Sequence, residues 1–141
     1  AVAYARDRVV GGRPIAEYQM IQHLIADMTV NVEAARLMVQ RAAFAMDGGE
    51  PPTRASSQAK YLAGQAARHA AQAVAEIFAG YALAEGTAVA RITAYVNMLA
   101  VGEGTPNVQR ILIAEDALGI KDANRHPVQN RFVHGDPTGE P

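Results

Sequence analysis

Between Tyr18 and Met46 the apolar residues recur in steps of three and four without a miss. They are Tyr18, Ile21, Ile25, Met28, Val32, Ala35, Val39, Ala42 and Met46. That period belongs to one face of an α-helix. It predicts a single long helix over about residues 15–47, with Pro14 near its first position and Glu17 in its first turn. Gly48-Gly49-Glu50-Pro51-Pro52 ends it. A helix of this length cannot bury such a stripe alone, so it needs antiparallel partners, within the chain or across an oligomer.

Three further helices are predicted. The first covers about residues 54–78, with Ala59, Leu62, Ala66, Ala70, Ala73 and Ile77 on one face. Alanine there, with Gly64, allows close helix approach. After a loop at residues 79–87, a shorter helix over 88–100 carries Val89, Ile92, Val96 and Leu99. The last runs over 106–118 with Val108, Ile111, Leu112 and Leu118, and Gly119 closes it. Residues 1–10 read as the last turns of another helix, stopped by Gly11-Gly12. No strand pattern competes. The expected fold is all-α: an up-and-down four-helix bundle over residues 1–119 and an irregular polar tail over 120–141.

The chain has 141 residues, which suits one domain with a real core. The net charge of −1 comes from scattered groups, not the clustered cations of a nucleic-acid footprint. Cysteine is absent, which excludes disulfides and thiolate chemistry. No apolar run reaches the roughly 18 residues of a membrane span, and no signal-peptide pattern is present. A cytoplasmic, bacterial protein is expected. His23, His69, His126 and His134 lack metal-ligand spacing, and no Glu-x-x-His pair supports a carboxylate-bridged metal bundle. The opening Ala1-Val2-Ala3-Tyr4-Ala5-Arg6-Asp7-Arg8 reads as entered in mid-helix, as a piece of something longer.

The chemistry concentrates in Val101-Gly102-Glu103-Gly104-Thr105-Pro106-Asn107-Val108-Gln109-Arg110. One helix ends there, a glycine-flanked turn presents a single carboxylate, and the next helix begins. Thr105 is a credible N-cap, and Pro106 fits the first helical position. The partial positive charge of a helix start favours a carboxylate just ahead of it.

Glu-Gly-Thr-x-x-Val-Gln-Arg resembles the acyl-CoA dehydrogenase signature Glu-Gly-Thr-x-x-(Ile/Val)-Gln-Arg. Other landmarks keep the family's order. Residues 4–15, Tyr-Ala-Arg-Asp-Arg-x-x-x-Gly-Arg-Pro-Ile, resemble its opening, and Glu17-Tyr18-Gln19 before Ile21-Gln22-His23 resembles its Glu-Phe-Gln-x-Ile-Gln. Ile77-Phe78-Ala79-Gly80 stands where Ile-Phe-Gly-Gly is usual. The likeness covers about residues 1–119 and is to the family's C-terminal helical domain. It implies FAD, an acyl-CoA substrate, an electron-transferring flavoprotein or similar acceptor, and a homo-oligomer (dimer or tetramer) built through the bundle. It implies Glu103 as the base removing the substrate's α-proton while the β-hydrogen leaves as hydride to flavin N5. The glutamate's backbone N–H then supports the enolate-like oxygen, and a bound acyl chain strengthens the base by excluding water. Arg8 is implied at the FAD pyrophosphate, Gln19 near the nucleotide, and Gly80 under the FAD of a neighbouring subunit. Thr105 and Asn107 fall on the flavin side, and Gly104 beside the substrate.

The chain departs from the pattern at Val10, Gly11, Glu76, Ala79, Ala94-Tyr95-Val96 and Glu115. These changes keep open a non-catalytic oligomerisation module, or a weakened subunit of a mixed oligomer. Since the family's flavin ring rests largely on a central β-barrel, the 141-residue chain alone is expected to be inactive and free of FAD.

Overall fold

The computed structural model describes residues 1–120. The tail expected from 120 onward, with His126 and His134, therefore lies outside the described residues but for Ile120. The described residues form five α-helices: α1 (Val2–Asp7), α2 (Gln19–Asp47), α3 (Pro52–Phe78), α4 (Ala88–Val101) and α5 (Pro106–Leu118). The last four form the predicted bundle. α3 is its central member, packed against α2, α4 and α5.

The start of the chain differs from expectation. The first helix ends at Asp7, and a two-residue ladder follows, β1 (Val9–Val10) pairing antiparallel with β2 (Arg13–Pro14). Gly11 and Gly12 do not cap a helix; they form the hairpin turn, with φ of 61° and 82°. A two-residue hairpin needs left-handed backbone at both positions, which glycine supplies without a Cβ clash. The ladder is extended by Ile15 N–H donating to Arg8 O at 2.8 Å, and Tyr18 Oη donates to Val10 O at 2.8 Å. Pro14 thus sits in a strand. A 3-10 turn (Ile15–Glu17) intervenes, and α2 begins at Gln19 behind an extended Tyr18.

Apart from α1, which stops three residues early, and the start of α2, four residues later than predicted, the helix ends are those predicted within two residues. Gly49 (φ 79°) lets Glu50 N–H reach back to Ala45 O, closing α2. Thr87 and Thr105 cap α4 and α5, accepting from Ala90 N–H at 3.1 Å and Val108 N–H at 3.3 Å. Gly119 takes the left-handed conformation after α5.

The buried faces are partly rotated from those expected. Along α2 the inward seam runs through Leu24, Met28, Asn31, Ala35, Met38, Ala42 and Ala45. It shares Met28, Ala35 and Ala42 with the predicted stripe but leaves Val32, Val39 and Met46 exposed. The small alanines let α3 approach closely, and Asn31 is held inward by Asp27 O and His69 Nδ1. In α4, Val96 and Ala100 are buried, whereas Ile92 and Leu99 face outward. In α5 the buried residue is Gln109, not Val108. Gly64 faces Ala100 of α4, and a Cβ added at Gly64 would lie in ordinary contact, 3.7 Å from Ala100 Cβ.

Candidate functional site

The hairpin, the start of α2 and the end of α3 enclose an open apolar cleft of about 1070 Å³. It brings together Arg8, Gln19 and Gly80. Each is placed by a local feature: Arg8 is the extended residue leaving α1, Gln19 opens α2, and Gly80 lies in the 3-10 turn (Ala79–Ala82) after α3. A Cβ added at Gly80 would meet nothing within 4 Å. Packing among the described residues thus leaves that backbone open to approach.

The sequence reading missed several cleft residues. Arg13 lies over the Tyr18 ring, 4.1 Å from its centroid, and Tyr4 and Phe78 stack at 4.1 Å with their planes 14° apart. Among the described residues neither Arg8 nor Arg13 forms an ion pair. The cleft therefore offers two guanidinium groups beside flat aromatic walls, which suits a ligand with phosphate and a planar ring. Its carboxylate is Glu17; Glu76, one of the departures from the resembled pattern, is exposed on α3 and does not line it. Arg13 and Tyr18 were in view as sequence landmarks, but only the hairpin brings them together.

Ala79, standing where glycine is usual in the resembled pattern, has φ 49° and ψ −129°. That backbone region is unfavourable for a residue with a Cβ.

Glu103, Gly104, Thr105 and Asn107 form a second place on the molecule. Gly102 N–H closes α4 on Met98 O at 2.8 Å, and Glu103 is exposed, outside both helices, at φ 57°. The glutamate between the two glycines itself carries left-handed backbone, at a cost of about 1–2 kcal/mol. Gly104 has φ 115°, and a Cβ there would collide with the Gln109 amide. None of these four residues lines the cleft. Ala100, near the end of α4 ahead of the turn, packs on α3 at Gly64, whereas the cleft begins at Ile77, about 20 Å further along the helix at 1.5 Å per residue. No group of three or more potential metal ligands occurs among the described residues, and no helix there is long and apolar enough to cross a membrane.

The family model for the acyl-CoA dehydrogenase C-terminal domain matches residues 1–118. The chain is 37% identical over 118 residues to a 3-(aryl)acrylate reductase of Clostridium sporogenes, covering 84% of this chain and 31% of that protein. It is 37% identical over 126 residues to a glutaryl-CoA dehydrogenase of Desulfococcus multivorans, covering 89% and 32%. The butyryl-CoA dehydrogenase structure from Megasphaera elsdenii superposes with a TM-score of 0.80 at 33% identity, covering 83% of this chain and 30% of that one. The chain spans about a third of the length of the curated relatives it matches.

Proposed function

The chain belongs to the acyl-CoA dehydrogenase family, as its C-terminal helical domain, and on that premise we propose that it supplies the base and part of the cofactor site of an FAD-dependent acyl-CoA dehydrogenase. The observation that carries this reading is the Glu103 turn. A lone carboxylate is held clear of two helices at strained backbone, just before a capped helix start. Glu103 takes the α-proton of the acyl-CoA thioester, and its backbone N–H donates to the thioester oxygen as negative charge develops there. Gly104 gives the substrate room beside it, and Thr105 and Asn107 face the flavin. FAD, when bound, supplies the acceptor for the β-hydrogen.

The cleft fits the pyrophosphate part of that cofactor. Arg8 pairs with the phosphate charge, Gln19 lies along the nucleotide, and Gly80 lets backbone approach it. In this reading the cleft and the turn, about 20 Å apart along α3, serve two different FAD molecules. That calls for a homo-oligomer in which one subunit's cleft serves a cofactor whose reacting end lies at a neighbour's Glu103. An electron-transferring flavoprotein or similar carrier is the proposed acceptor.

In the full-length enzyme, Glu103→Gln abolishes acyl-CoA oxidation while FAD stays bound. Undiminished turnover would remove Glu103 from the mechanism. A relative is named as a reductase, so both directions belong in the assay. The 141-residue chain alone neither retains FAD nor turns over acyl-CoA. Flavin absorbance at about 450 nm co-purifying with it would contradict that, since such a chain spans about a third of its relatives.

A further inference from the structure

We infer that two consecutive residues of α3, Lys60 and Tyr61, are positioning residues that clamp the Glu103 turn from both sides. The inference rests on the reading of Glu103 as the base. The last carbonyls of a helix have no partner within it. At the end of α4, Gly102 N–H takes Met98 O, and the next carbonyl, Leu99 O, accepts from Lys60 Nζ at 2.8 Å. This bond is charge-assisted, and the ammonium sits at the negative end of the α4 dipole.

On the far side of the turn, Arg110 of α5 holds Tyr61. Its Nη2 donates to Tyr61 Oη at 3.2 Å, and its guanidinium lies 5.0 Å from the ring centroid. The same guanidinium donates through Nη1 to Asn107 Oδ1 at 2.9 Å, in the first turn of α5. The hydrogen bond from the Arg110 guanidinium holds the Tyr61 phenol below its ordinary range. Leu99 and Arg110, on either side of the connection, are thus tied to neighbouring residues of one helix.

Between these anchors stands Glu103 at φ 57°. Such backbone persists only where its surroundings over-determine it. The Thr105 cap fixes where α5 starts but not where α5 lies relative to α4. The Lys60 and Tyr61 contacts fix that relation, and with it the direction in which the carboxylate is presented.

The test uses the full-length enzyme. Lys60→Met keeps the aliphatic stem and removes the ammonium; Lys60→Arg restores a donor. In Lys60→Met, amide exchange at residues 102–109 rises at least tenfold while α2 amides keep their wild-type rates. There kcat falls at least tenfold with KM and bound FAD unchanged, and Lys60→Arg recovers both. Tyr61→Phe, which keeps the ring but loses its hydroxyl, raises exchange at the same amides by a smaller factor. Wild-type exchange and kcat in both Lys60→Met and Tyr61→Phe overturn the clamp. Protection lost equally across the whole bundle overturns it too, because Lys60 would then support the fold rather than the turn. Glu103→Gln in parallel separates the two claims: turnover surviving that change removes the base assignment, while the exchange rates still decide the clamp.

Discussion

Ala79 and Glu103 are the two non-glycine residues that the described chain holds at positive φ, and they differ in what the strain accomplishes. At Glu103 it lifts a carboxylate out of the path of two helices. At Ala79, which lines the cleft, the backbone ends α3 and turns into the 3-10 segment. Ala79→Gly relieves the strain, at the smaller entropic cost of a freer unfolded chain. We expect it to raise stability by about 1 kcal/mol, read as a higher Tm in thermal unfolding of the chain. An unchanged or lower Tm would show that the conformation is not strained. At this scale the sequence was partly legible. Thr105 and Pro106 announced the start of α5 through their side-chain chemistry. The left-handed backbone at Glu103 left no such mark, because Gly-Glu-Gly offers two other residues that could have taken the turn.

Among the elements, helix existence and helix ends could be read directly, because Gly49, Thr87, Thr105 and Gly119 each supply a chemically specific stop or cap. The hairpin could not. Gly11-Gly12 satisfies equally the end of a helix and a two-residue turn, and the choice depends on contacts distant in sequence. Tyr18 settles it by bonding Val10 O and taking Arg13 on its ring. The same tertiary effect hid the cleft: Arg8, Gln19 and Gly80 could be named one at a time, but Arg13 joins them only through the hairpin. It also rotated the α2 seam, since alanines that carry little hydrophobic signal are what permits α3 to approach.

For the molecule as a whole, the α2 face left outside that seam matters most. Val32, Val39 and Met46 remain 42%, 51% and 54% exposed along one row, with Leu37 and Phe44 also outward. The described residues leave about half or more of each of these side chains uncovered. Burying the exposed half of one such valine on association is worth about 1 kcal/mol, so several together can drive assembly. We therefore expect the chain to self-associate. Val39→Asp should weaken that association at least about tenfold while moving subunit stability by only about 0.5 kcal/mol, as for an exposed position. Sedimentation velocity over a concentration series checks it; a wild-type chain that stays monomeric, or a variant that associates equally well, contradicts it. Assembly matters to the proposed reading, in which the cleft and the Glu103 turn, about 20 Å apart along α3, serve the sites of neighbouring subunits. The central claim remains that Glu103 removes the α-proton, and its most direct test is exchange of that proton itself. Full-length enzyme is incubated in deuterated water with an acyl-CoA analogue that cannot lose its β-hydrogen, and deuterium entry at the α-carbon is followed by mass spectrometry. Wild type should exchange the α-proton and Glu103→Gln should not, at equal FAD content; equal exchange in both would contradict the account.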